Sequence, residues 1–189
     1  MAHSIIEDGY KVMAHLKGEL MIRNVEFKYF SIQFPSYEQS YKFNKCTFNQ
    51  VEIDDLQSTY PNFNDNIFKD GSFKDCKILY GIFHDSVFKE MEFKNNIFES
   101  SSFTESKIVK SYFQKNDFSS CLFIGATISD VTFYDCDFTV ASFNGTKFMN
   151  VQFHDCFING TDFTDTIKQN TKFVNCLHAD NAKGLIDEN

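Results

Sequence analysis

Six cysteines, at positions 46, 76, 121, 136, 156 and 176, are the residues with most chemistry to offer. Each is separated from the next by a multiple of five, and Cys136, Cys156 and Cys176 are evenly spaced, four such steps apart. Such thiols can bind metal, form disulfides, or fill space as small, weakly polar groups. Tetrahedral zinc needs four converging ligands, and a row on one side of a regular structure points its sulfurs in parallel. The small-hydrophobe reading is therefore the expected one, and no metal site is expected. The five histidines, His3, His15, His84, His154 and His178, are scattered. They form no Ser–His–Asp or Cys–His set, and no glycine-rich loop offers a phosphate cradle. No catalytic residue and no cofactor are expected.

The spacing of five reaches far beyond the cysteines. Reading every fifth residue from Phe43 to Phe173 gives 27 positions, of which 20 are Phe and 5 are Ile. The whole chain has 24 Phe and no Trp. A period of five suits neither a helix nor a flat strand. It needs a backbone that turns a corner once per repeat. Two residues before each central position lies a mostly small one, and all six cysteines occupy it: Cys46, Cys76, Cys121, Cys136, Cys156 and Cys176. One large and one small inward residue per repeat fits a narrow tube. Two residues after the central position the chain is often acidic. Twelve of the 19 acids between residues 41 and 180 stand there, from Asp55 through Asp180. Asp bonds nearby backbone amides, so this slot reads as the corner.

These residues resemble the pentapeptide-repeat family, whose unit is a small residue, a polar residue, Leu or Phe, and two variable residues. The resemblance covers about residues 41–180 and implies an all-β, right-handed quadrilateral parallel β-helix with four repeats per coil. Ile22, Phe27 and Ile32 extend the repeat upstream in a shifted phase, with one extra residue expected near Pro35–Gln39. About eight coils follow. Outward positions just before the Phe carry apolar groups in several repeats, among them Ile67, Ile82, Val87, Ile97, Tyr112, Leu122 and Phe157.

A solenoid has raw ends that need covering. Residues 1–19 are expected to form an N-terminal cap, 20–181 the β-helix, and 182–189 a short C-terminal tail. Within the cap, Ser4 and Glu7 read as a capping box opening a helix over 4–18. Two positions break the ladder. Ser58 replaces a Phe without shifting the phase. Lys168 stands where a Phe should be, and because a buried ammonium is costly, Ile167 is expected to turn inward instead.

Net charge is −8, and Arg23 is the single arginine. An acidic chain lacks the electrostatic footprint of a nucleic-acid binder, so direct nucleic-acid contact is not expected. Nothing approaches the roughly 18–20 apolar residues of a membrane span, and no secretory leader is visible. A cytoplasmic protein without membrane contact is expected.

With four repeats to a coil, positions four repeats apart share an edge. The acids then fall into lines: Asp65, Asp85 and Glu105 on one edge, Asp135 and Asp155 on another. The similarity to quinolone-resistance and topoisomerase-immunity members implies a non-enzymatic acidic DNA mimic. Its partner would be DNA gyrase or topoisomerase IV, and the protein itself a homodimer. The alternative is a scaffold or secreted effector binding a protein through outward apolar residues such as Ile67 and Val87.

Overall fold

The computed structural model describes residues 4–6, 22–23, 25–33 and 41–185 of the 189. The protein is an all-β parallel solenoid of about seven turns. Each turn has four short faces, one pentapeptide to a face. Thus Ile67 pairs with Val87, Val87 with Lys107, and Lys107 with Thr127, all parallel and in register.

The period of five is a backbone period. Every fifth residue from Lys45 to Asn175 has a positive φ, between 49° and 67°. This left-handed conformation swings the chain through each corner. Asp, Asn and Gly tolerate it best among the residues, which explains the acidic slot. Asp180 is the exception. It lies in the short 3₁₀ turn Ala179–Asn181, and the positive φ moves to His178. The repeat ends there: Phe157 pairs with Leu177 at an offset of 20, but Asp162 pairs with Lys183 at 21.

The core is a set of aromatic ladders, one per face. Phe43, Phe63, Phe83, Phe103, Phe123, Phe143 and Phe163 stack with centroid spacings of 4.7 to 5.3 Å. Phe73, Phe93, Phe113, Phe133, Phe153 and Phe173 form a second ladder. Neighbouring ladders meet edge to face, as Phe98 does with Phe103 at 5.5 Å and 77°. Offset stacking and edge contacts are the favoured aromatic geometries, so one residue type can fill the whole tube.

The small slot is a hydrogen-bond position as well as a steric one. Its side chain donates to the carbonyl of a central residue one coil back. Ser86 Oγ reaches Phe63 O at 2.7 Å, Thr146 Oγ1 reaches Phe123 O at 2.6 Å and Cys121 Sγ reaches Phe98 O at 2.8 Å. Asn66, Asn96 and Asn116 occupy the same buried slot. Each sends its amide nitrogen to a carbonyl, Phe43 O, Phe73 O and Phe93 O respectively.

Upstream, Phe27 pairs with Phe48 and Ile22 with Phe43, both at an offset of 21. One extra residue therefore lies between Gln33 and Phe43, as the shifted phase requires. Ile22 and Phe27 are buried as central residues. Seven complete turns span 41–180; the strands Ile22–Arg23 and Val25–Gln33 add part of an eighth. Ser4–Ile6 is a strand paired in parallel with Val25–Phe27, not the first turn of a helix. Pairing with the exposed edge of a sheet outweighs a local capping box. The rest of the expected helical cap, residues 7–18, lies outside the described residues.

Both interruptions keep their register. Ser58 is buried opposite Ile78. Lys168 pairs with Phe148, and Ile167 is 58% exposed, so the expected inward turn of Ile167 does not occur. The ladder survives because Lys168 belongs to the last complete coil, where its ammonium escapes the apolar interior. Its Nζ donates to Gly184 O at 2.6 Å. The lysine thus ties the tail over the end of the tube.

One corner residue is badly matched to its backbone. Val140 has φ 59°, and β-branched residues resist this region; the same corner one turn on is Gly160. Val140→Gly is expected to stabilise the protein by about 1 kcal/mol, the left-handed strain outweighing the entropy of glycine. Thermal unfolding should rise by about 2–4 °C. An unchanged or lower midpoint would show that the corner carries no strain.

Candidate interaction surface

The described cysteines line the interior in the small slot, Cys176 half-buried and the others enclosed. Among the described residues no group of three or more His, Cys, Asp or Glu converges to hold a metal. Burial pushes the Cys76 thiol up to about 12 and raises that of Cys121 further. Cys156 and Cys176 are raised chiefly by the neighbouring sulfur, Cys136 and Cys156 respectively. These are neutral thiols at pH 7. His84 Nε2 lies 2.7 Å from Ser102 Oγ, which lies 2.9 Å from Thr104 Oγ1. No carboxylate bonds that imidazole among the described residues, so it reads as a bonded surface chain, not a charge-relay set.

The outside is organised by the same four-sided turn. Asp65, Asp85 and Glu105 occupy one corner in three successive turns, with φ of 58°, 56° and 57°. Their backbone amides bond upward to His84 O, Thr104 O and Ile124 O at 3.0, 3.2 and 2.9 Å. That ladder holds the three carboxylates in one line, about 4.8 Å apart per turn. Asp135 and Asp155 form a second line on the diagonally opposite corner, with φ of 53° and 54°. The sequence-based grouping into two edges is therefore the observed placement.

Several corner acids have no lysine partner among the described residues, Asp55, Asp75, Asp130 and Asp165 as well as the acids of these two lines. At other positions a lysine lies close to the acid: Lys69 3.5 Å from Asp70, Lys89 3.6 Å from Glu90 and Lys74 3.9 Å from Glu92. Asp85, Glu105, Asp135 and Asp155 have no ion pair among the described residues. Asp65 accepts from Asn44 Nδ2 at 2.9 Å. It also borders a shallow depression of about 190 Å³ that Arg23 and Lys42 help to line. Glu105 lies at the end of that edge away from this depression. Glu105 is informative for another reason. Asp at a corner has a conformational motive, but Glu has no such preference. Its presence in the left-handed region extends the line of charge without helping the turn.

The expected apolar pair is also assembled. Ile67 and Val87 face outward in direct register, Ile67 45% exposed and Val87 half-buried. Thr47 and Lys107 flank them, so the exposed apolar strip is two residues long. Two further exposed pairs form, and of their members the sequence marks Phe157 alone as outward. Tyr60 and Tyr80 stack at 5.0 Å and 18° on an exposed corner; their shared slot in successive turns is the available signal. Phe157 and Leu177 form an exposed apolar pair near the C-terminal end.

A family profile described as pentapeptide repeats matches residues 128–165, in eight copies. No curated protein matches the chain. Solved structures that align with it include HetL, a pentapeptide repeat protein involved in heterocyst differentiation regulation in the cyanobacterium Nostoc. It is 10% identical over 94% of each chain, with a TM-score of 0.30. Full-length QnrB1, a plasmid-mediated fluoroquinolone resistance protein, is 15% identical over 90% of this chain and 89% of its own, with a TM-score of 0.31. A pentapeptide repeat protein of the Arabidopsis thaliana thylakoid lumen is 22% identical over 61% and 69%, with a TM-score of 0.29.

Proposed function

This chain is a pentapeptide-repeat protein, and from that premise we propose that it is a non-enzymatic rod that binds a basic protein groove through its acidic corners. The observation that carries this reading is the unpaired line running from Asp85 to Glu105, with Asp135 and Asp155 on the opposite corner. Such a rod imitates a duplex in part. One carboxylate per turn is one charge per about 4.8 Å along an edge, against one per about 3.4 Å along a DNA strand. A groove shaped for DNA would therefore meet a backbone of similar sign and somewhat lower charge density. The partner proposed is DNA gyrase or topoisomerase IV, in the cytoplasm, with protection from inhibitors as the outcome.

The test is a gyrase assay with the purified protein. Addition of the chain should restore supercoiling in the presence of ciprofloxacin and reduce drug-stabilised cleavage. If it changes neither supercoiling nor cleavage, the topoisomerase reading is wrong.

A second reading rests on Ile67 and Val87, whose exposed register pair suits an apolar contact with a different protein. Ile67→Asp should then abolish capture of that partner while leaving the gyrase assay unchanged.

A further inference from the structure

The chain contains two Asn-Gly steps, Asn144-Gly145 and Asn159-Gly160, each followed by threonine. In both, the glycine is a corner residue with positive φ, 67° and 66°, and the asparagine before it is half-buried. Asparagine followed by glycine is open to reaction with its own backbone. Glycine has no Cβ, so its nitrogen can close on the preceding side-chain carbonyl carbon. The outcome depends on what holds that nitrogen and that side-chain amide, and the two steps differ in both.

A corner N–H in this fold belongs to the ladder between turns. On the corner that ends at Gly160, Ser100 N donates to Ser119 O, Ser120 N to Thr139 O and Val140 N to Asn159 O, each at 2.9 Å. The equivalent acceptor for Gly160 N is Ala179 O. The repeat breaks there: Ala179 lies in the 3₁₀ turn, and its carbonyl accepts from Ala182 N at 3.2 Å instead. Gly160 N is therefore left without a hydrogen-bond partner among the described residues. Beside it, Asn181 Nδ2 donates to Asn159 Oδ1 at 2.9 Å. That bond polarises the amide carbon and steadies negative charge on its oxygen when the carbon becomes tetrahedral. At the other step both groups are tied. Gly145 N donates to Thr164 O at 3.1 Å. Asn144 Nδ2 donates to Thr164 Oγ1 at 2.8 Å, and to Thr164 O and Asp165 Oδ2 at 3.3 Å each.

We propose that Asn159-Gly160 is a self-modifying site, which converts to an aspartyl or isoaspartyl residue in the folded protein. Gly160 N gives its proton to a solvent base and bonds to Asn159 Cγ. The Cγ–Nδ2 bond breaks, Nδ2 takes up a proton and leaves as ammonia, and a succinimide ring remains. Water then adds to either ring carbonyl and opens it, giving aspartate or isoaspartate; water is the one co-reactant, and nothing is oxidised or reduced. Each product adds a carboxylate to a chain of net charge −8. The isoaspartyl form also lengthens the backbone between Ile158 and Gly160, where Val140 N bonds Asn159 O at 2.9 Å and Ile158 N bonds Leu177 O at 3.1 Å. The C-terminal turn loosens as the protein ages.

The experiment ages the folded full chain in mildly alkaline buffer. Both peptides are followed by mass spectrometry after digestion, and an isoaspartyl methyltransferase reports the iso form. Asn159 should convert at least tenfold faster than Asn144. In concentrated urea, where neither step keeps its hydrogen bonds, the two rates should converge, because both read Asn-Gly-Thr. Asn159→Gln should remove the fast conversion and leave the slow one. Hydrogen exchange gives a readout independent of the reaction: the Gly160 amide should exchange at least tenfold faster than those of Val140 and Gly145. Equal rates at the two steps in the folded chain, no conversion at Asn159, or a Gly160 amide as protected as that of Gly145 would each overturn the proposal.

Discussion

Replacing Phe98 with alanine is expected to cost about 3–5 kcal/mol and to lower the thermal midpoint by roughly 10 °C. Phe98 is fully buried and stacks on Phe118 at 5.3 Å. It also meets Phe83, Phe93 and Phe103 edge to face at 6.0, 6.0 and 5.5 Å. Truncation removes a ring that neighbouring ladders share. The neighbours cannot collapse into the gap, because each is held by its own coil's backbone bonds. In a solenoid each turn contacts only its neighbours, so the loss should appear as a local weakness. Hydrogen exchange should quicken first in the turns around residue 98. Phe157→Ala is the control: that ring is outward-facing, and its loss should cost less than about 1 kcal/mol. Equal costs for the two variants in urea unfolding would contradict the inside-out assignment of the repeat.

The second large effect concerns a buried polar group. Asn96→Leu should destabilise by about 3 kcal/mol, although leucine is the more apolar residue. Asn96 accepts from Cys76 N at 2.9 Å and donates from Nδ2 to Phe73 O at 2.9 Å and Asn116 Oδ1 at 2.8 Å. Leucine would leave these enclosed groups without partners, each costing about 1–3 kcal/mol, offset in part by its own burial. Asn96→Ser should recover much of the loss, since Ser101 in the equivalent slot of the adjacent face donates to Ile78 O at 3.1 Å. A leucine variant as stable as the wild type would show that the slot is only a steric one.

The Phe ladder and the inward cysteines are legible in the sequence because a strict period of five leaves no other register. The grouping of Asp65, Asp85 and Glu105 follows from the same arithmetic. Other features depend on physics the period does not contain. Asn66, Asn96 and Asn116 are invisible to a rule of small inward residues, because the slot selects hydrogen-bonding ability as well as size. Lys168 defeats the rule against buried charge because that rule holds for a dry tube, whereas in the last coil its ammonium reaches Gly184 O. At Ser4–Ile6 a local helix signal is outweighed by a parallel sheet edge. For the candidate surface, sequence alone places the acids on edges. It does not say which of them lysine neutralises, because that depends on how far each side chain reaches across a turn.

The proposed recognition edge rests on that last distinction. Asp70 and Glu90 are paired with lysines, and Asp85 and Glu105 are not, although all four take the same backbone conformation. The two sets differ in available charge, not in architecture. The measurement that tests this most directly is the gyrase protection assay on the triple variant Asp65→Asn, Asp85→Asn, Glu105→Gln. Asparagine already occupies corners at Asn95, Asn150 and Asn170 with φ of 56°, 55° and 50°, so the rod should keep its circular dichroism and thermal midpoint. The protein concentration needed for half-maximal protection should rise at least tenfold. Unchanged potency in a folded triple variant would contradict the assignment of function to this acidic edge.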